Sequence, residues 1–380
     1  MILGTFVTRT GVISSVHSFA RSSLGAPFLA FVALALVGSA ALLIWRWGYL
    51  KSDNRLESPW SRESAFVLNN FLFLTITFTV FLGTYYSMFS ELIVGEKLTV
   101  GPAVFNKLIG PQVTALVLLM GIGPLLAWRR SSPGALGRMT WRAGLVAVAL
   151  VVLLFVLGLR ELGALAGFGV IAYAGVITLE EFYRGVWARM KLSHESVFVA
   201  LSHLIARNRR RYGGYVIHMG VILMGMGVIG TTMFQQETQR GLRPGESISL
   251  GHYTVTYEGS EVYVPPKEPD KTIFLGHVLV STDGGALERM SPYREVFRQG
   301  GGLLPPALRS NLAEDLYILF LGEEGGFGSF KVFINPLVNW VWIGGLVLIV
   351  GTLLAMWPGR AGATVAVPVS GRAAVSEAGQ

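Results

Sequence analysis

Apolar stretches about twenty residues long recur along this chain, separated by short segments that hold most of its charge. As a helix, a stretch of that length crosses the roughly 30 Å hydrocarbon core of a bilayer. We read about seven, at 27–47, 66–89, 111–128, 141–159, 162–182, 214–234 and 336–357. Each is expected to be helical, because lipid offers the backbone no other hydrogen-bond partner. Trp45, Trp47, Trp128, Trp141, Trp340, Trp342 and Trp357 fall near their ends, where indole rings favour the headgroup level. Between 235 and 335 the pattern changes to short β-branched and aromatic runs, at 252–257, 272–280 and 330–334, divided by Pro265-Pro266 and Gly300-Gly301-Gly302. These predict a small antiparallel β domain between the last two spans. The expected fold is an all-α polytopic membrane protein with a small β-rich extracytoplasmic domain.

Composition supports that reading. Hydrophobic residues make up 52% of the chain and charged residues only 14%, against about a quarter charged in soluble proteins, which excludes an ordinary soluble enzyme. The net charge of +8 could suggest a nucleic-acid partner. Its placement in short runs between apolar spans points instead to the membrane, with no nucleic acid. Arg46, Lys51, Arg55 and Arg62 occupy one such run, Arg129, Arg130, Arg138 and Arg142 another, and Arg207, Arg209, Arg210 and Arg211 close a third that can meet anionic membrane lipid. These segments are assigned to the cytoplasm. Alternation puts 1–26, 85–110, 160–161 and 235–335 outside.

The expected organisation is an outer-face segment at 1–26 and a six-helix membrane region at 27–234, which includes a basic amphipathic cytoplasmic segment at 183–213. The β-rich domain follows at 235–335, the last span at 336–358 and a disordered cytoplasmic tail at 359–380. The first residues have no basic n-region and are too short an apolar run to span; they read like the tail of a helix whose beginning is missing. There is no cysteine, so any thiol chemistry belongs to a partner.

Six histidines are the main neutral-pH metal ligands on offer. His218 falls inside a span, where an ionisable residue is by default a candidate for function. The alternative is a neutral imidazole hydrogen-bonded to a neighbouring helix, and the sequence leaves both open. At about 100° per residue, Gly214 and Gly225 share the face of His218 and leave room beside it for a flat macrocycle. Gly213, Gly220 and Gly227 form a second stripe on the opposite face, suited to close helix contact. His17 lies in a small-residue, apolar segment beside the membrane, as either a ligand or a surface residue. His194 and His203 fit a solvated face, and His252 and His277 fit structural roles in strands. Glu180 and Glu181 fit an interfacial feature. No phosphate loop, hydrolase triad or set of intramembrane carboxylates is evident.

Several motifs together resemble a known family. Thr5-Phe6-Val7-Thr8-Arg9-Thr10-Gly11-Val12 leads into Ser15-Val16-His17-Ser18-Phe19-Ala20; Ser61-Arg62-Glu63 is followed by Leu68-Asn69-Asn70; Gly95-Glu96-Lys97 precedes Val100-Gly101-Pro102 and Phe105-Asn106-Lys107. Gly123-Pro124-Leu125-Leu126, the run from Arg207 through Gly214, and Asn335-Pro336-Leu337-Val338-Asn339-Trp340 complete the set. In this order they resemble the C-terminal half of the cytochrome c maturation protein F family, the CcmF/NrfE haem lyases. That resemblance implies an inner-membrane haem lyase subunit of the holocytochrome c synthase type. It would assist reduction and thioether attachment of haem to the Cys-x-x-Cys-His motif of apocytochrome c on the outer face.

By the same resemblance, His218 is an axial ligand of a permanent haem b. His17 is a catalytic ligand of a second haem that is transferred as substrate. Implied partners are the haem chaperone CcmE, CcmH with or without CcmI, apocytochrome c, quinol as an electron source, and a chain carrying the N-terminal half if the gene is split. The long N-terminal membrane region usual in the family has no counterpart in this sequence. Two other classes stay open: a haem transporter, and a non-catalytic scaffold of the maturation complex.

Overall fold

The computed structural model of the protein describes residues 2–10, 25–51, 56–283, 285, 287–298 and 300–358. Ten α-helices occur among them: α1 (Ile2–Thr10), α2 (Gly25–Trp45), α3 (Trp47–Leu50), α4 (Arg62–Val94), α5 (Pro102–Ile122), α6 (Pro133–Val156), α7 (Leu162–Ser193), α8 (Val197–Arg207), α9 (Arg209–Met233) and α10 (Asn339–Met356). Seven of these, α2, α4 to α7, α9 and α10, are long and apolar enough to cross a membrane. Their outer faces present large apolar side chains, among them Leu34, Leu92, Leu145 and Leu346. In a water-soluble protein such faces would be covered; here lipid is their solvent, and this is a multi-pass membrane protein.

Local signals set the helix ends. Ser61 caps α4, its hydroxyl accepting from the Ser64 N–H at 3.1 Å, and Gly95 ends that helix in the left-handed region at φ 81°. Ser132 caps α6 in the same way, with Pro133 at the first turn. Several helices outrun the apolar stretches. α7 spans 32 residues and carries polar turns beyond Phe182, and α9 begins at Arg209, so most of the arginine run is already helical. The helix α5 starts at Pro102 and runs through Pro111, where the apolar pattern had suggested a beginning. Proline there removes one backbone donor without ending the helix.

Close packing follows small residues. A Cβ on Gly220 would lie 2.7 Å from the Gly344 carbonyl oxygen and the Leu348 nitrogen, and one on Gly213 or Gly227 would strike the backbone of Ala355 or Val341. The stripe of Gly213, Gly220 and Gly227 therefore seats α10 against α9, with Gly344 and Gly351 as the small partners opposite. On another side of the bundle, Gly121 of α5 meets Ala174 of α7.

The segment between α9 and α10 forms ten strands: β1 (Gln236–Leu242), β2 (Ser247–Leu250), β3 (Tyr253–Tyr263), β4 (Lys271–Thr282), β5 (Leu287–Met290), β6 (Tyr293–Phe297), β7 (Gly302–Leu303), β8 (Ala307–Ser310), β9 (Glu314–Glu324) and β10 (Phe327–Pro336). They make two antiparallel sheets, β1-β10-β9-β8 and β2-β3-β4-β6-β7 with β5 also on β4. Alternate residues turn inward: Tyr253, Val255 and Tyr257 from one sheet, and Leu316, Ile318, Phe320, Phe330, Val332 and Ile334 from the other. β9 has no counterpart among the runs picked out from sequence, because Leu316 to Leu321 is continuously apolar and its period is hidden.

Chain direction sets which ends share a side. The sheets join the C-terminal end of α9 to the N-terminal end of α10. The start of α4, the end of α5 and the start of α9 lie together at the opposite end, where Arg62 donates to the Pro124 carbonyl at 2.7 Å. His17 and the expected tail at 359–380 lie outside the described residues.

Candidate functional site: a cavity beside His218

A cavity of about 570 Å³ opens at the end of the bundle away from the sheets. That volume is within the range of about 300–1,000 Å³ typical of cofactor sites. Three helices build it. From α4 come Arg62, Phe66 and Asn69; from the α5 end come Met120, Gly123 and Pro124; from α9 come Arg211, Gly214, Tyr215 and His218. Residues 123–125 form a single 3-10 turn that breaks α5 and brings the Pro124 carbonyl to Arg62. The Arg62 backbone N–H also donates to Ala127, and Ser131 donates to the Trp60 carbonyl, so this corner is fixed by main-chain bonds.

His218 sits on the wall about 14 Å along α9 from its first residue. Its ring meets Tyr215 edge-on, with centroids 6.1 Å apart. Tyr215 is in turn packed with Tyr212 and Phe182. Among the described residues nothing hydrogen-bonds to either nitrogen of His218, so the helix-bonded alternative for this imidazole finds no partner. Gly214 has open space where its Cβ would stand, and it faces the cavity. Gly225 does not continue that open face. Its Cβ position is 3.1 Å from Cδ1 of Ile171 in α7, so a neighbouring helix fills the space that helical spacing alone had left bare.

Two cations reach the cavity. Arg211 is paired with Glu181 at 2.7 Å, and the Tyr215 hydroxyl donates to the same carboxylate at 3.1 Å. Glu181, from the pair read as interfacial, thus ties α7 to the cavity wall. Arg62 makes no ion pair among the described residues; its guanidinium lies 5.7 Å from the Trp128 ring centre. In the sequence Asn69 and Pro124 stand out only as motif residues, and Arg62 as a motif residue and part of a basic run, because helices distant in sequence bring them to His218.

The other histidines among the described residues lie apart. His203 is 3.0 Å from Glu195, His252 is 3.0 Å from Glu314, and His277 pairs with Ser291 at 3.0 Å. No group of three potential metal ligands forms among the described residues. An imidazole without a partner, a glycine cradle and a cofactor-sized space suit a planar metal-bearing ring better than a bare ion.

No family model matches the chain. Its relatives are nonetheless specific. The cytochrome c-type biogenesis protein CcmF of Pseudomonas aeruginosa is 29% identical over 371 residues, which covers 93% of this chain and 52% of the relative. CycK of Bradyrhizobium diazoefficiens, of the same description, is 31% identical over 366 residues, 93% of this chain and 53% of the relative. A solved structure of the cytochrome c haem lyase CcmF matches with TM-score 0.70 and 27% identity, covering 90% of this chain and 52% of that one.

The chain is similar to CcmF over nine-tenths of its length.

It spans about half the length of the CcmF relatives it matches. The shared region takes in both the helical bundle and the two sheets, since so little of this chain lies outside it. NrfE of Haemophilus influenzae, 25% identical over 361 residues, extends the relationship within cytochrome c-type biogenesis proteins.

Proposed function

We propose that this chain is the membrane subunit of a cytochrome c haem lyase and that its His218 cavity holds a b-type haem. The observation that carries the proposal is the unpartnered His218 imidazole on the wall of a 570 Å³ cavity, next to the bare backbone of Gly214. His218 would hold the iron through an imidazole nitrogen. Gly214 would leave space for the group beside His218, and Tyr215, packed on Phe182, would hold the imidazole wall in place. Arg62 and Arg211 would meet the acidic edge of the macrocycle, with Glu181 offsetting part of the charge of Arg211. When bound with two histidine ligands, such a group supplies one-electron transfer rather than small-ligand binding. The second histidine would come from the half of the family that this chain does not span, or from a separate chain carrying it.

In this reading His17, outside the described residues, is a ligand of the incoming haem, which is a substrate. Two thiols of the apocytochrome Cys-x-x-Cys-His motif add across its two vinyl groups. Each addition forms one C–S bond, and a hydrogen is placed on the other vinyl carbon. The absence of cysteine in this chain removes a competitor for mixed disulfides with the substrate. Delivery by CcmE, presentation by CcmH with or without CcmI, and reduction by quinol complete the scheme. In this reading the His218 cavity lies toward the cytoplasm of a bacterial inner membrane and the sheets toward the periplasm, which the basic ends of the spans support.

A maturation assay on the chain coexpressed with its complementary half separates the two histidines. His17→Ala should lose holocytochrome c yet keep the b-type spectrum. His218→Ala should lose both. Normal holocytochrome yield from His17→Ala would overturn its role, and production of holocytochrome without any b-type haem would overturn the role of the cavity. Haem binding with no maturation by the complete pair would favour transport or scaffolding instead.

A further inference from the structure

A second cavity, of about 440 Å³, lies where α8 turns into α9 and meets the end of α10. Arg207, Arg209, Arg210 and Arg211 line it with Trp357 and Pro358, and no carboxylate is among its lining residues. Two of the four guanidinium groups have structural work. Arg211 pairs with Glu181, and Arg209 donates to the Pro358 carbonyl at 3.1 Å, joining the start of α9 to the end of α10. Arg207 and Arg210 make no ion pair among the described residues, so the cavity concentrates positive charge that the described residues do not offset.

Its position defines the ligand. The cavity sits where one membrane span begins and another ends, at the side of the bundle away from the sheets. Met356 and Trp357 at its edge are largely exposed, as expected of side chains at the boundary of hydrocarbon and headgroups. The helix α8, which leads into it, exposes Val197, Phe198 and Val199 in its first turn, an apolar end suited to the bilayer surface. A basic pocket between spans at headgroup depth is complementary to a phosphodiester anchored by acyl chains.

We propose that this cavity binds the headgroup phosphate of an anionic phospholipid and thereby clasps the α8–α9 corner to the end of α10. Free phosphate shares the headgroup chemistry, but it would gain nothing from the apolar rim of Met356 and Trp357. The site shares Arg211 with the wall of the His218 cavity, whereas Arg207 and Arg210 line this cavity alone.

The test is native mass spectrometry of the purified full chain in detergent, titrated with phosphatidylglycerol or phosphatidylcholine. The wild type should retain phosphatidylglycerol at a concentration about tenfold or more below that needed for phosphatidylcholine, and the double variant Arg207→Gln/Arg210→Gln should lose most of that preference. Those two residues are chosen because Arg209 and Arg211 hold the fold. Arg138→Gln/Arg142→Gln removes the same charge from another basic turn and should keep the preference. Equal retention of the two lipids by the wild type would overturn the proposal, as would equal loss in both double variants. Displacement of phosphatidylglycerol by millimolar inorganic phosphate would make this a site for the free ion and would also overturn it.

Discussion

Helix α9 carries glycines on two faces, and the two have opposite surroundings. Gly213, Gly220 and Gly227 are pressed against the backbone of α10, with Cβ positions under 3.0 Å from main-chain atoms. Gly214, on the other face, has nothing within 4 Å and borders the cavity beside His218. One set of missing side chains lets two helices touch; the other leaves space for something that is not protein. The same residue type therefore does two jobs, and only the neighbouring helices distinguish them.

Adding one methyl group at a time should expose the difference. Gly220→Ala meets backbone that cannot yield, and it should destabilise the α9–α10 pair by about 1–3 kcal/mol or more, read as a lower unfolding temperature in detergent. A Gly220→Ala protein as stable as the wild type would break the account of this face. Gly225→Ala meets only the tip of Ile171 at 3.1 Å, so a smaller loss is expected, partly offset by the better helix propensity of alanine, worth up to about 1 kcal/mol. Gly214→Ala should be neutral or slightly stabilising. Gly214→Phe should leave accumulation and unfolding temperature near the wild type while excluding haem, a separation that a purely packing glycine would not produce.

The corner that closes the cavity can be probed through its cap. Ser61 is fully buried, accepts from the Ser64 N–H and donates to the Ser58 carbonyl at 2.9 Å. Ser61→Ala should cost about 1 kcal/mol of stability, seen in the same unfolding measurement. A smaller effect is expected in the loop joining α7 to α8. There Arg189 donates to the Glu195 carboxylate at 2.7 and 2.9 Å, and His203 lies 3.0 Å from it. The Arg189 hydrogen bonds, and then His203, hold the Glu195 carboxyl down at about 2, from an ordinary 4.5. A depressed carboxylate stabilises the fold above its unfolded-state value, and the contribution fades as pH falls from about 4.5 toward 2. Glu195→Gln should therefore lower the unfolding temperature slightly at pH 7, with the gap to the wild type closing in acid. A gap that stays constant with pH would contradict the pairing.

The fold was largely legible in the sequence, for physical reasons. A span must be long and apolar, so seven spans stand out, and the alternation in Tyr253, Val255 and Tyr257 marks a half-buried strand. What stayed hidden depends on contacts between distant segments. His218 and Gly214 could be picked out by helical spacing, but Gly225 could not be excluded, since spacing says nothing about Ile171. Arg62 reaches the cavity only because Pro124, sixty-two residues away, offers it a carbonyl. An arginine just after a serine, at the head of an apolar span, was the available signal.

The central claim is that the open face of α9 holds haem through His218. Its most direct test is a reduced-minus-oxidised spectrum with pyridine haemochrome quantification, on the chain purified together with its complementary half. The account predicts a b-type spectrum in the wild type that disappears in His218→Ala while both chains remain inserted and associated. An unchanged b-type spectrum in His218→Ala would contradict it.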